Sequence, residues 1–479
     1  MSHLFAVVDW PSITGSLALV NIALVACTIV WILAIKREPT SALAWCLLVL
    51  FVPILGSMLF VLFGYQSVHV PLKRKRRHAE EFRTRPASAV EPGSAEGYEG
   101  LAGLACRLGA RLPTVGNAVT LYHTGIDAYD AMEAAIRSAR HHIHMQFFIA
   151  RADESGIRFM TALAERAQAG VEVRFLYDAV GSWRLHTRVL NILRQAGGKA
   201  LPYLTLVNPL RRRIQINLRN HRKVLVVDGR VGFTGGFNIG DEYLGRSKFF
   251  GPWRDTFVRV EGPAVSGLQR VFTEDWDFST DEDLSADCYY PPVPESGDAT
   301  VQVAWSGPDQ DIKTIREVYF AAIMRARRRV WLATPYFVPD AGLFDALCLA
   351  ARMRRDVRVL CPFRPDKWLP HLAGRFNWGT LIRAGGHVYQ YTRGFMHAKV
   401  LMVDDVWSSV GSPNFDNRSL FLNFEVTCLT ESPRVQAELE KAFLDDLQVS
   451  IRLDPETYAH RPFVAKMAEN ACRLLSPVL

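Results

Sequence analysis

Two apolar helices near the start, followed by a duplicated α/β body, is the architecture this sequence predicts. Three observations predict it: two long stretches free of charge, strand-period and helix-period segments that alternate beyond them, and a His, Lys, Asp, Asn pattern that occurs twice. The chain has 479 residues, 49% apolar and 22% charged, which suffices for several domains with a large core and excludes a disordered chain. Its formal charge of +8 favours anionic partners, nucleic acid or an acidic membrane surface, without choosing between them. The eight cysteines stand in apolar surroundings with no CxxC pair and no His cluster at ligand spacing. Buried thiols in a reducing compartment are expected, with neither a disulfide framework nor zinc.

The first domain expected is 1–77, a transmembrane hairpin with a basic flank. Trp10 to Ile35 contains no Asp, Glu, Lys, Arg or His, and neither does Ser41 to Phe63. Each exceeds the ~20 apolar residues that cross a bilayer as a helix, giving spans at about 12–35 and 41–63. A cleaved signal peptide fits poorly, because Met1 to Asp9 lacks a basic region and a second apolar run follows at once. The basic run Lys73 to Arg77 outweighs Lys36-Arg37 in the connecting turn, which predicts a cytoplasmic body. The same run can hold anionic lipid headgroups, at ~1 kcal/mol per cation.

Residues 78–114 read as a linker rich in Pro, Gly, Ala and Glu. In the first body domain, 115–280, "HHIHMQFFI" reads as a strand, "GIRFMTALAERAQAG" as an amphipathic helix, "VEVRFLYD" as a strand and "RLHTRVLNILRQAGG" as a helix. His141, His142 and His144 suggest a metal site, but no acidic or Cys partner lies near them in sequence, and a structural role is expected. The acidic, Pro-rich stretch 281–299 is the next linker. In 300–479 the same order returns in "RRVWLATPYFV", "LFDALCLAARMRR" and "DVRVLCPF", ending in a C-terminal helix.

Within these halves "NHRKVLVVDGRVGFTGGFN" (Asn220 to Asn238) is shadowed by "MHAKVLMVDDVWSSVGSPN" (Met396 to Asn414). Lys follows His by two, Asp by seven and Asn by seventeen in both: His221, Lys223, Asp228, Asn238 and His397, Lys399, Asp404, Asn414. A chance His-x-Lys-x4-Asp is expected on the order of 0.01 times at this composition, so two at matching positions are no accident. In an extended chain residues two apart face the same side, so each His projects with its Lys. Asp228-Gly229 and Asp404-Asp405 supply turn chemistry, and a hairpin centred just beyond them returns each Asn opposite its His. Gly235-Gly236 and Gly411-Ser412 would let a ligand approach the backbone. Seven extended residues cover ~23 Å, too far for the Asp to orient its own His, so it should brace the turn or a neighbouring element. Asp255 in "PWRDT" and Glu425 in "LNFE", at comparable places in each half, are better placed to orient the imidazoles. The basic "RRRIQINLR" (Arg211 to Arg219) is either a plain loop or a guide for an anionic substrate.

These stretches resemble the paired HKD motifs of the phospholipase D superfamily, over the whole duplicated body. The likeness is closest to bacterial cardiolipin synthases: "HRKVLVVDGRVGFTGGFNIGDEYLG", "WRDTFVRVEGPAV", "EDWDF", "MHAKVLMVDDVWSSVGSPNFDNRSLFLNFE", "REPTSALAW", "PILGSMLFVLFG" and "RLLSPVL" are all similar to that family. The resemblance implies two α/β/α sandwiches with one active site between them. It implies His221, Lys223, Asp228, His397, Lys399 and Asp404 as catalytic residues, Asn238 and Asn414 as substrate-binding, and a membrane-integral bacterial enzyme acting on phosphatidylglycerol. In-line displacement at phosphorus needs a nucleophile on one side and a proton donor on the other, so one copy would be half a site. No metal or cofactor is expected, since two Lys neutralise one phosphate charge and no acidic cluster is visible. A hydrolytic phospholipase D, a transferase using phosphatidylethanolamine, a nuclease and an inactive lipid-binding scaffold are the alternatives. Nucleic acid is disfavoured by the apolar N-terminus and by "TPYFVP", which suits lipid.

Overall fold

In the computed structural model, residues 10–36, 39–61, 98–203, 207–208, 213–214 and 218–476 are described. The basic run 73–77, most of the linker expected at 78–114 and the greater part of "RRRIQINLR" lie outside them. By contacts the chain separates into two compact units, 1–72 and 73–479.

In the N-terminal unit the first apolar run forms one helix, Trp10–Ile35, of which Ala18–Ile35 is long and apolar enough to cross a membrane. It is the one such helix among the described residues. The second run, expected as a single span at about 41–63, is instead two helices, Pro39–Phe51 and Pro53–Leu59. Pro53 has no amide hydrogen and drives Val52 out of the helical region, to φ −133° and ψ 70°, so the helix breaks there. Ile32, Val49 and Phe60 form the small core of this unit, with Trp31 and Trp45 edge-on to Phe60.

The body is built twice to one plan. In the first half the ladders run, edge to edge, Thr114–Thr124, Trp253–Glu261, Val231–Gly235, Val224–Val227, His142–Phe147, Glu172–Asp178 and Lys199–Tyr203. The last three strands are mutually parallel and the other neighbours antiparallel. In the second half the order is Ala299–Ser306, Asn423–Glu431, Trp407–Gly411, Val400–Val403, Arg329–Ala333, Asp356–Pro362 and His387–Tyr391, with the same senses. Ser450–Arg452 adds an antiparallel edge. The leading strands of the halves pair with each other, Thr114 with Val301 and Asn117 with Ala299.

Local chemistry sets the helix starts. Asp153 accepts from the Gly156 amide before Glu154–Gln168, and Asp340 from those of Gly342 and Leu343 before Ala341–Arg352. Each half has its own core, around Met145, Phe175 and Phe233 in the first and Val330, Val359 and Leu401 in the second. Gly100–Arg107, within the stretch read as linker, is a helix whose Ala105 joins the second core. The stretch 281–299 is bound to the first half, with Glu282 on Arg174 at 2.7 Å and on Lys199 at 2.9 Å. His142 and His144 are fully buried in their strand, and His144 Nδ1 meets Gln269 at 2.8 Å.

Candidate active site

Each His-x-Lys pair occupies an extended segment just before its strand. His221 and Lys223 precede Val224–Val227, and His397 and Lys399 precede Val400–Val403. The antiparallel ladders place these segments at the carboxyl ends of the parallel strands, where Phe148, just past His142–Phe147, puts its ring 4.9 Å from that of His221.

The halves then cross over. Arg219–Asn220 pairs in parallel with Asn423–Phe424 of the second half, and Phe395–Met396 pairs in parallel with Trp253–Arg254 of the first. The His221 amide donates to the Phe424 carbonyl at 3.0 Å and the His397 amide to that of Arg254 at 2.7 Å. One residue further on, each strand presents a buried carboxylate to the imidazole of the opposite half. His221 Nδ1 lies 3.0 Å from both oxygens of Glu425, and His397 Nδ1 lies 2.6 Å from Asp255 Oδ2. The carboxylates fix the tautomer: Nδ1 carries its proton toward oxygen, which leaves both Nε2 lone pairs for chemistry. The sequence offered Asp255 and Glu425 as orienting groups without saying which His each meets, and the pairing is crossed.

Burial pushes the His221 imidazole down to about 4, with Glu425 opposing and Lys223 and Lys399 reinforcing the shift. His397 is pushed to about 3 by burial and then by Lys399, against Asp255. Burial also lowers Lys399, to about 8, and holds Lys223 well below its ordinary range. Each imidazole feels the ammonium of the other motif as well as its own. Burial is the first cause of all four shifts, and the two ammonium groups face two buried carboxylates, Asp255 and Glu425, so a bound anion would favour the charged forms of the His and Lys side chains.

Lys223 Nζ donates to the His221 carbonyl at 2.6 Å. Lys399 Nζ donates to the His397 carbonyl and lies 2.8 Å from His397 Nδ1. The Asn residues sit one position beyond the point expected. Val224 pairs with Thr234 and Val400 with Val410, so the residues opposite His221 and His397 are Phe237 and Pro413. Asn238 spends its amide on the fold, accepting from the Ile149 amide at 3.1 Å and donating to the Tyr243 hydroxyl at 3.2 Å. Asn414 keeps a buried Oδ1 with no hydrogen-bond partner among the described residues.

Asp228 and Asp404, counted with the active site by resemblance, make no hydrogen bond to an imidazole or ammonium among the described residues. Both sit at φ 53° in the hairpin turn, a left-handed conformation that Asp tolerates. Asp228 accepts from the amides of Arg140, His141 and His142 at 2.8 to 2.9 Å, and Asp404 from those of Arg327, Arg328 and Arg329 at 2.8 to 3.1 Å. Burial raises the Asp404 carboxyl, but these amides outweigh it and hold the group below its usual value. Each Asp pins its hairpin to the start of the neighbouring strand.

The small residues are also reassigned. A Cβ on Gly236 would stand 1.9 Å from Asp255 Oδ1, so the glycine makes room for the buried carboxylate, not for a ligand. At the equivalent place Ser412 donates its hydroxyl to Glu425 Oε2 at 2.5 Å. Arg222, between His221 and Lys223, was not singled out in the sequence. Its guanidinium is buried against Asp275 at 2.7 Å and reaches the carbonyls of Glu425 and Ser306. Asn220 and Gln146 donate to the same Asp275 oxygen at 2.9 and 2.7 Å. The one available signal was the asymmetry of "HRK" against "HAK", with "EDWDF" supplying the acid.

A family profile described as "Cardiolipin synthase, PLD-like domain" matches residues 132–276 and 319–447, and one described as "Phospholipase_D-nuclease N-terminal" matches 22–64. A cardiolipin synthase of Geobacillus kaustophilus is 39% identical over 468 residues, covering 95% of this chain and 93% of the relative. Cardiolipin synthase 2 of Staphylococcus epidermidis is 36% identical over 457 residues, covering 93% of each. Among solved structures, phosphatidylserine synthase of Haemophilus influenzae superposes with a TM-score of 0.59 at 15% identity, over 85% of this chain and all of that one, a likeness of fold alone. With both motifs, the duplicated sheets and near full-length similarity in agreement, the chain belongs to the bacterial cardiolipin synthases of the phospholipase D superfamily.

Proposed function

We propose that the enzyme transfers the phosphatidyl group of one phosphatidylglycerol to another, giving cardiolipin and glycerol. The observation that carries the mechanism is the crossed pair of buried imidazole–carboxylate contacts, with one unencumbered Nε2 on each His. His221 Nε2 attacks phosphorus while His397, protonated, gives its proton to the departing glycerol oxygen, leaving a phosphatidyl-histidine. His397 then takes the proton of a hydroxyl on the second phosphatidylglycerol. That oxygen bonds to phosphorus, the P–N bond breaks and His221 is restored. Lys223, Lys399 and Asn414 stabilise the non-bridging oxygens as their charge grows, while Asn238 and the two motif Asp hold the frame.

His397 is pushed to about 3 before substrate binds, so it must gain affinity for its proton to act as an acid near neutrality. The negative phosphodiester supplies that change, since it offsets Lys399 and Lys223 and favours the imidazolium. Proton donation is thereby coupled to substrate occupancy.

The N-terminal helices are assigned as a membrane hairpin, the body as cytoplasmic by its basic flank, and each half as a helix–sheet–helix sandwich. A site held at a bilayer meets lipid hydroxyls at high effective concentration, which favours transfer over hydrolysis. The test is a denaturing quench at neutral pH, which preserves P–N bonds, after mixing with labelled phosphatidylglycerol. Label on the peptide containing His221 and release of cardiolipin are expected. Label on His397 would reverse the roles, and accumulation of phosphatidic acid would make the enzyme a hydrolase.

A further inference from the structure

Two tryptophans lie exposed at equivalent places in the halves. Trp183 is 68% exposed on the loop after Glu172–Asp178, and Trp368 is 67% exposed after Asp356–Pro362. Trp368 opens the helix Trp368–Arg383, and both residues follow the carboxyl ends of parallel strands, the end at which the His-x-Lys segments lie. Phe249 (70% exposed) and Phe363 (44% exposed) join them. Four large aromatic side chains in water are a cost the fold does not require for its own cores.

Contacts tie this rim to the two His-x-Lys pairs. Ser182, next to Trp183, donates to the Phe148 carbonyl at 3.1 Å, and the Phe148 ring packs on His221. Asp366, two residues before Trp368, accepts from Tyr336 at 2.6 Å and acts on Lys399 electrostatically. Phe249 begins a run of rings through Phe250 (4.9 Å) and Trp253 (5.6 Å) to His397 (5.1 Å). The exposed aromatics therefore stand at the approaches to both catalytic imidazoles.

The exposed charges beside them are basic, while Asp366, which accepts from Tyr336, is only partly exposed. Lys248 precedes Phe249, Arg364 follows Phe363 and Lys367 precedes Trp368, all exposed and without an ion pair among the described residues. The Arg184 guanidinium lies 4.7 Å over the Trp183 ring. Amphipathic rings interleaved with cations suit the interface of an anionic bilayer, where the ring sits at headgroup level and the cation meets phosphate.

We infer that this aromatic and basic rim is the face by which the body docks on an anionic phospholipid bilayer, with His221 and His397 on the side turned toward the lipid. The inference rests on the lipid-transferase reading and adds its route of substrate entry. A lipid then reaches His221 and His397 from the bilayer without crossing water.

The test uses the full chain in nanodiscs of phosphatidylcholine, alone or mixed with phosphatidylserine, an anionic lipid that is not the proposed substrate. Hydroxyl-radical oxidation of Trp183 and Trp368 should fall severalfold in the anionic discs. Equal oxidation in both would overturn the docking, and protection that grows with protein concentration without lipid would assign the rim to a second copy. In a second arm, Trp183→Ala with Trp368→Ala should lower turnover of bilayer phosphatidylglycerol about tenfold, or 1.4 kcal/mol. Turnover of a monomeric short-chain phosphatidylglycerol should be unchanged. Equal loss on both substrates would mark a merely structural role and refute the inference, as would no loss on bilayers. If the unaltered enzyme makes no cardiolipin, the functional reading fails, and the oxidation arm still decides the docking.

Discussion

Replacing Glu425 by Gln removes the charge that faces His221 and keeps the shape. In the proposed mechanism the His221 ring becomes cationic when its Nε2 bonds to phosphorus, so the carboxylate would matter most as the intermediate forms. At 3.0 Å and an effective dielectric of ~20, imidazolium and carboxylate attract by about 5.5 kcal/mol. A neutral amide oxygen keeps a hydrogen bond of about 1.5 kcal/mol, and loss of solvent-like relaxation trims the rest, leaving about 3–4 kcal/mol. At 1.36 kcal/mol per decade this is roughly 10²–10³ in the rate of phosphatidyl-enzyme formation. The amide also has no comfortable orientation. Glu425 Oε1 already accepts from Asn423 Nδ2 at 3.3 Å and Oε2 from the Ser412 hydroxyl, so an NH₂ on either side meets a donor. The assay is single-turnover labelling with quench at neutral pH, beside thermal unfolding to establish that the variant is folded. A folded Glu425→Gln enzyme whose labelling rate stays within about threefold of the original would refute the argument that this carboxylate stabilises the reacting imidazole.

Several other outcomes follow from the same geometry. Lys399, lowered to about 8 by burial, is charged below that value and neutral above it, so kcat/KM should fall as pH rises through about 8 in the free enzyme. A pH profile flat to 10 would count against Lys399 as the charged partner of phosphate. Asp228→Ala loses three hydrogen bonds donated by backbone amides and leaves alanine at φ 53°, which should cost about 2–4 kcal/mol in unfolding while turnover per folded molecule persists. Loss of turnover with unchanged stability would return Asp228 to the chemistry. The low-lying Asp404 carboxyl contributes stability above the ordinary value of 3.8 that is lost as pH falls through its folded value, so Asp404→Asn should flatten the acid limb of a stability–pH curve. Arg222→Met strips the buried Asp275 of its guanidinium at 2.7 Å and should destabilise by ~3–5 kcal/mol, with partial recovery when Asp275→Asn is added. Strictly additive unfolding energies for the two changes would show that the pair is not coupled.

Particular residues show how much was legible. Period-two and period-3.6 patterns located His142–Phe147, Glu154–Gln168, Glu172–Asp178 and their second-half counterparts, because alternation of apolar side chains is a local property. The fixed extension of a strand was enough to send the motif Asp away from its own His. The same reasoning ran the second apolar stretch through Pro53, where weight given to hydropathy hid a break that ring sterics impose. It also assigned Gly236 to a ligand, since nothing local shows that the space beside it is filled by Asp255 from another strand.

The sequence by itself determined that the body is a duplication and that each His travels with its Lys, since a repeated pattern and the spacing along one extended segment can both be read from the residues alone. Only the tertiary structure decided that Glu425 meets His221 and Asp255 meets His397, that Arg222 turns away to Asp275, and that the element each motif Asp braces is the start of the strand beside its hairpin. The physical reason is that a strand's side-chain direction is written in its own residues, whereas its partner is chosen by packing between segments 142 and 204 positions apart. His221 and Glu425, separated by 204 positions, meet because two short parallel bridges carry each half's carboxylate across to the other.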